Sequence, residues 1–314
     1  MSLPTFVRNA TAACAHCLPP FRGLGTLCNK INSLTLGMGA DSLATAKMRD
    51  GTTLLVDLTT RTEKWAFYSG QYDGDLISMI VSLLDHDSYF LDVGGNIGFY
   101  TVAVASSYRA HKGEGRVIAF EPFASNYQRL ESNAQRNALE DYCELYNVGL
   151  SDERKECEIT LREDFEGGSE TGNAAIPVGD EKDKNFRRAP IMLEMLDAFW
   201  QEHQYQDRKI DVIKVDIEGH EDYFFRGART VIEAQRPTIL MEVNKPYYQA
   251  REVELDSLFL PLIPPDYVLF RPLGSGWTTL QSLHDCQALD NALLVPREKL
   301  DLPRYERFRK LADT

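Results

Sequence analysis

The chain has 314 residues, 43% hydrophobic and 10% aromatic, enough apolar material for a packed core and too much for a disordered chain. Its net charge of −13 disfavours nucleic acid and anionic membranes as partners, and the densest basic group, Lys182, Lys184, Arg187 and Arg188, is interrupted by Asp183 and preceded by Asp180 and Glu181. No apolar run is long enough for a membrane span, and the length leaves room for about two domains.

Residues 1–64 read as an N-terminal extension, with helical pieces over 1–40 broken at Pro19, Pro20 and several glycines, then a β-hairpin over 47–58 around Asp50-Gly51. The first residues make a poor signal peptide, because Arg8, His16 and Pro19 interrupt the apolar run, and a cytoplasmic location is expected. Six cysteines in a chain this long show no evident disulfide framework. Cys14-Ala-His-Cys17 is half a zinc site with no second pair, and no recognisable ligand set appears elsewhere, so no metal is expected. Residues 65–86 are a capping segment, an aromatic-rich turn followed by an amphipathic helix from 75 to 84. If it closes over a pocket, Tyr68, Gln71, Tyr72 and Asp73 are the candidate substrate contacts.

Residues 90–122 read as strand, glycine-rich turn, helix, strand and acidic end. Residues 90–93 are a short apolar strand, Gly94-Gly95-Asn96-Ile97-Gly98 allow backbone angles closed to bulky residues, and residues 116–120 return as a second strand that stops at Glu121-Pro122. Asp92 and Glu121 therefore stand at the carboxyl ends of neighbouring parallel strands, where open α/β sheets bind ligands. No register of the loop supplies the G-x-G-x-x-G of a dinucleotide site, and a carboxylate two residues before the first glycine is wrong for a pyrophosphate. The charge suits a cation instead. S-adenosylmethionine carries a sulfonium and an ammonium, and its ribose hydroxyls can both donate to a carboxylate such as Glu121.

Further on, residues 124–137 form a surface helix, and residues 143–150 form a strand ending in Val148-Gly149-Leu150, where an adenine ring could lie against backbone. A strand over 156–161 leads into a polar, glycine-bearing loop at 162–173, a candidate lid. Residues 191–200 read as a helix. Residues 210–221 then carry I-D-V-I-K-V-D-I-E-G-H-E, in which strand alternation puts Lys214 and Asp216 on one face, with Glu218 joining them if the extension persists. A lysine in an apolar strand needs a partner, either Asp216 or Glu242 on the following strand at 237–243. A helix is expected over 221–235, and strands at 266–272 and 290–296 close an antiparallel edge.

With D-V-G-G-N-I-G-F-Y-T, V-I-A-F-E-P, N-V-G-L-S-D and I-K-V-D-I-E-G-H-E-D, the chain resembles the FkbM-family methyltransferases over residues 65–298. The resemblance implies a class I, Rossmann-like α/β fold: a seven-stranded, mostly parallel sheet of order 3-2-1-4-5-7-6 with helices on both faces, spanning residues 65–300 and followed by a tail at 301–314. It also implies methyl transfer from S-adenosylmethionine, usually to a hydroxyl. On matching positions Asp92, Gly94, Gly95, Asn96 and Gly98 would hold the methionine part and Glu121 the ribose, with Pro122 and Asp216 alongside. Lys214, Asp216, Glu218 and Glu221 would line the reaction end. Gly95 stands where the family commonly has alanine. Asp216 or Glu218 is the expected base for the acceptor hydroxyl, with His220 the alternative. A non-catalytic cofactor-binding scaffold and an NAD-dependent oxidoreductase are the rival readings, and neither acceptor nor oligomeric state is fixed by the sequence.

Overall fold

The computed structural model describes residues 2–18, 23–161, 174–175, 187–274 and 276–313. Two helices, α1 (Leu3–Cys17) and α2 (Leu24–Gly37), precede an antiparallel hairpin of β1 (Leu43–Lys47) and β2 (Thr53–Asp57). Helices α3 (Arg61–Ser69) and α4 (Gly74–Leu83) lead into the central sheet. The expected turn over 65–74 is thus half helix: Thr60 caps α3 by accepting from Glu63 N, and burial of Ala66, Phe67 and Tyr68 on one face outweighs the turn-forming residues that follow.

The sheet is built from β3 (Tyr89–Val93), α5 (Phe99–His111), β4 (Arg116–Phe120), α6 (Ala124–Arg136) and β5 (Cys143–Tyr146). A small second sheet contains β6 (Gly149–Leu150), β7 (Lys155–Leu161), β8 (Ala174–Ala175) and β9 (Arg187–Glu194), followed by α7 (Leu196–Glu202). The central sheet resumes with β10 (Ile210–Val215), α8 (Glu221–Gly227), α9 (Arg229–Gln235) and β11 (Thr238–Asn244). Helices α10 (Lys245–Ala250) and α11 (Leu255–Phe259), strands β12 (Tyr267–Leu273), β13 (Gly276–Leu280) and β14 (Leu289–Pro296), and helix α12 (Glu306–Ala312) complete the chain.

Strand order is β13-β12-β14-β11-β10-β3-β4-β5, parallel from β5 to β11 and antiparallel beyond. This is the expected 3-2-1-4-5-7-6 order with an eighth strand, β13, added at the edge. Both faces are covered, so β10 is buried at every position, and its two charged residues, Asp211 and Lys214, are each held by an ion pair.

Three expectations are corrected. Residues 187–194 are strand, not the start of a helix, because Ile191 and Leu193 face a small core and the segment pairs with β7 along its length; the helix begins at Leu196. The stretch 143–150 divides into β5 and β6, which belong to different sheets. The helix over 221–235 breaks at Ala228, where Gly227 passes so close to β6 that an added Cβ would stand 1.9 Å from Ser151 O. The candidate lid at 162–173 lies outside the described residues.

The N-terminal hairpin is fixed to the sheet domain by amides that imitate a strand. Asn133 Oδ1 accepts from Leu55 N at 2.6 Å, and Asn137 both accepts from Thr53 N at 2.9 Å and donates to Thr53 O at 2.7 Å, which covers the edge of β2. Arg129 of α6 forks onto buried Glu63 of α3 with contacts of 2.6 and 2.9 Å. At the opposite end, Asp211 is fully buried beneath Lys299 and Arg304, which holds the C-terminal segment against β10.

Candidate active site

A cavity of about 480 Å³ opens at the carboxyl edge of β3, β4 and β10. Its floor is the loop after β3. Gly94 and Gly95 both donate their N–H groups to Phe120 O, at 3.0 and 2.9 Å, while Asp216 N donates to Val93 O at 3.0 Å. Those bonds draw the ends of three strands so tightly together that a Cβ on Gly94, whose φ is +86°, would stand 2.0 Å from Asp216 O. Asn96 adopts a left-handed φ of 48°, and Gly98 turns the chain into α5 under Leu130, with no room for a side chain.

The two carboxylates at the strand ends have different surroundings. Glu121 lines the cavity, its Oε2 accepting from Asn96 N at 2.8 Å and its Oε1 from Phe123 N at 2.9 Å. Burial pushes it up to about 7 against the pull of those amides. Asp92 does not reach the wall. It lies beneath the loop, 1% exposed, with Oδ2 accepting from Thr101 Oγ1 at 2.6 Å and Oδ1 without a hydrogen-bond partner, 3.9 Å from Lys214 Nζ. Burial raises its pKa, with Lys214 and Thr101 opposing. The expectation that both side chains face one ligand is therefore corrected: the register opposes Asp92 to Lys214, and the tight turn closes over it.

Lys214 has the partner its burial demands, Asp216 at 3.1 Å, and Asp92 as a second, while its Nζ lies 4.7 Å from the Tyr100 ring centroid. Burial alone would lower its pKa, but Asp216 and Asp92 outweigh it, so the ammonium stays charged. Glu242 is on the cavity wall without a direct ion pair to Lys214. Burial and the neighbouring Asp216 and Glu218 push its carboxyl far above the ordinary carboxylate range. Strand geometry ends at Val215; Glu218 and Gly219 turn left-handed, with φ of 54° and 86°, so Glu218 reaches the cavity from a turn rather than by alternation. One carboxylate oxygen each of Asp216, Glu218 and Glu242 lies within 4.8 Å of the others.

His220 lines the same cavity at the head of α8. Its Nε2 is 2.9 Å from Ser151 Oγ, its ring stacks on Tyr223 at 4.2 Å, and burial pushes it down to about 4, so it is neutral at physiological pH. Glu221 is not at the reaction end. It is fully buried, accepting from Ile217 N, Gly219 N and Tyr248 Oη, and so pins the turn that presents Glu218.

Pro122, Gly149 and Leu150 line the cavity beside Glu121, whereas Val148 does not. Of the capping segment, Tyr72 and Asp73 are on the wall. Tyr72 stacks on Phe99 at 4.1 Å and Asp73 accepts from Tyr100 Oη at 3.0 Å. Tyr68 is buried against α2, its hydroxyl 3.4 Å from Asn32 Oδ1, and exposed Gln71 is not among the lining residues. Phe99, Tyr100, Thr60 and Asn291 also line the cavity. The first two follow the glycine loop directly and could have been found from that position. Thr60 and Asn291 carry no signal of their own, because distant chain segments bring them in.

A parallel sheet of this order with a polar cavity at its carboxyl edge defines a Rossmann-like α/β domain of the class I type. The methyltransferase FkbM domain model matches residues 92–266, more than half of the chain, and the chain belongs to that family. Over 74 residues, 24% of this chain and 3% of the relative, it is 43% identical to the AMB antimetabolite synthetase AmbE of Pseudomonas aeruginosa. Over 151 residues, 45% of this chain and 58% of the relative, it is 25% identical to Methyltransferase 1 of Beauveria bassiana. The chain thus spans less than two thirds of each of these curated relatives. Among solved structures it is similar to a methyltransferase FkbM from Methylobacillus flagellatus, with a TM-score of 0.42, 17% identity, and coverage of 92% of this chain and 59% of that one.

Proposed function

We propose that the protein is an S-adenosylmethionine-dependent methyltransferase that acts on a hydroxyl of a small molecule, sugar or secondary metabolite. The observation that carries this reading is a single cavity running from Glu121 and Gly149 to Asp216, Glu218 and Glu242, with a backbone cradle between them that tolerates no Cβ at Gly94. The residues suit the cofactor. Glu121 offers a carboxylate to a ribose, Gly149 and Leu150 present backbone and apolar surface to an adenine, and the loop from Gly94 to Asn96 leaves room for the methionine part beside a wall rich in carboxylates.

The bound cofactor would supply a methyl group on a sulfonium, open to in-line attack. The chain's own residues align the acceptor and move its proton. Lys214, fixed by Asp92 and Asp216, keeps the Asp216 carboxylate oriented at the cavity wall. Asp216 or Glu218 takes the acceptor proton, and His220, neutral and bonded to Ser151, is the alternative base. Glu242, protonated at neutral pH, positions the acceptor as a hydrogen-bond donor rather than accepting its proton. Tyr72, stacked on Phe99, and Asp73 supply acceptor contacts.

Calorimetry with S-adenosylhomocysteine and with NAD tests the cofactor: binding of the first alone is expected, and binding of NAD alone would sink the proposal. A methyl-release screen over glycosides and macrolide precursors, with mass spectrometry to locate the added mass, then tests transfer. Cofactor binding with no acceptor in any chemical class would favour the scaffold reading. RNA fragments belong in the same screen, and the acidity of the chain leads us to expect no turnover on them.

A further inference from the structure

Helices α1 and α2 are built inside out. Towards the body they present Arg8, Ala12, Ala15, Cys28, Asn32 and Thr35, small or polar groups held by hydrogen bonds such as Asn32 Nδ2 to Leu58 O at 2.9 Å. Towards solvent they present most of their large apolar residues. Leu3, Phe6, Val7 and Leu18 of α1 and its end, and Leu27, Leu34 and Met38 of α2 and its end, are between 41% and 70% exposed. Nine of the thirteen large apolar side chains exposed among the described residues lie between Leu3 and Trp65. At that exposure each forfeits roughly half of the ~1.5–3 kcal/mol that full burial contributes, so a face this dense signals a missing partner.

We propose that this face is a homodimer interface, covered by the same two helices of a second copy of the chain. Two observations select that occupant. First, the seven side chains of the helix pair together expose on the order of 800 Å², the share per partner of a standard stable interface. Second, the face is almost uncharged and small at its centre. Residues 1–40 contain no carboxylate in a chain of net charge −13, and their cations are Arg8, Arg22 and Lys30, of which Arg8 is buried. Along α1 the exposed stripe runs through Ala10, Ala13, Cys14 and Cys17, which lets a second helix approach closely. A surface that seats in lipid wants bulky residues flanked by cations. Here Lys30 is the one exposed lysine or arginine on the two helices among the described residues.

Two hairpins meeting across a two-fold axis make a four-helix arrangement in which each copy offers the same patch. The interface lies one layer from the cavity: α1 rests on α3, where a His16 ring nitrogen is 3.0 Å from Phe67 O, and α3 contributes Glu63 to the cavity wall.

Sedimentation velocity on the full chain at micromolar concentration tests this, with Phe6→Lys on α1 and Leu34→Lys on α2 as separate variants and circular dichroism melts as the fold control. The expected result is a species of twice the 35.6 kDa chain mass that halves in both variants while their melting cooperativity is kept. If one variant misfolds, the other still decides. A wild-type monomer overturns the proposal, and co-pelleting of that monomer with phosphatidylcholine/phosphatidylglycerol vesicles would assign the face to a membrane instead. Variants that remain dimeric overturn it too, by placing the interface elsewhere.

Discussion

Gly94 and Gly95 are adjacent, yet their substitution by alanine should have opposite effects. At Gly94 an alanine must hold φ near +86°, which costs about 1–2 kcal/mol for an L-residue. Its Cβ would also stand 2.0 Å from Asp216 O, so β3 and β10 must part by more than an ångström, and the Asp216 N to Val93 O bond, worth about 1 kcal/mol, is lost. The total of roughly 2–3 kcal/mol lowers the melting temperature by about 3–5 °C in a chain of this size. The same displacement opens the backbone cradle from Gly94 to Asn96, and S-adenosylhomocysteine affinity should fall at least tenfold. At Gly95, φ is not positive and a Cβ would meet Leu130 Cδ2 at 3.4 Å and Ala119 Cβ at 3.6 Å, which are ordinary contacts. Gly95→Ala should therefore keep affinity within twofold and gain about 0.4–1 kcal/mol from a less flexible unfolded chain. Differential scanning calorimetry and ligand titration on both variants measure this. Equal behaviour of the two variants would refute the reasoning that the cradle is set by the Gly94–Asp216 contact.

Asp216→Asn should reduce turnover at least tenfold with S-adenosylhomocysteine affinity retained, read by steady-state kinetics beside calorimetry; unchanged turnover removes Asp216 as the base and leaves Glu218 or His220. Glu121, raised from 4.5 to about 7 by burial, favours the folded state while protonated, so its contribution is complete below pH 4.5 and is lost as pH rises through about 7. The stability of the wild type relative to Glu121→Gln should decline across that window by up to roughly 3 kcal/mol in denaturant titrations, and a flat difference would contradict the burial argument. Turnover should survive a chelator, because Lys214 already neutralises Asp216 at 3.1 Å; loss of activity that added divalent cation restores would instead give Asp216, Glu218 and Glu242 a ligand role. Glu63→Ala should cost about 1–3 kcal/mol in a thermal or denaturant melt, since it removes the buried carboxylate that accepts from both Arg129 Nη1 and Nη2 and from Asp57 N.

Among the described residues no helix is long and apolar enough to cross a membrane. The central strands and the glycine loop were legible because they rest on local rules: a buried parallel strand reads as an apolar run, and a turn that admits no Cβ reads as glycine; the order of the strands came only from the family resemblance. Lys214 announced its need for a carboxylate for the same reason, since an unpaired ammonium cannot be buried in a strand.

What the sequence determined by itself is therefore the chemistry available at each strand end: Asp92, Glu121, Lys214 and Asp216 at one edge of one sheet. Tertiary structure decided which of these meet a ligand. Asp92 was drawn under the loop because register sets it opposite Lys214, Glu221 became a buried pin because Tyr248 and two backbone amides converge on it, and Tyr72 rather than Tyr68 reached the wall because α3 extends through the expected turn. Strand β9 overrode a helical spacing in the same way. Local spacing fixes which face a side chain takes along its own element, whereas the depth of that face depends on segments tens of residues away, which no local pattern encodes.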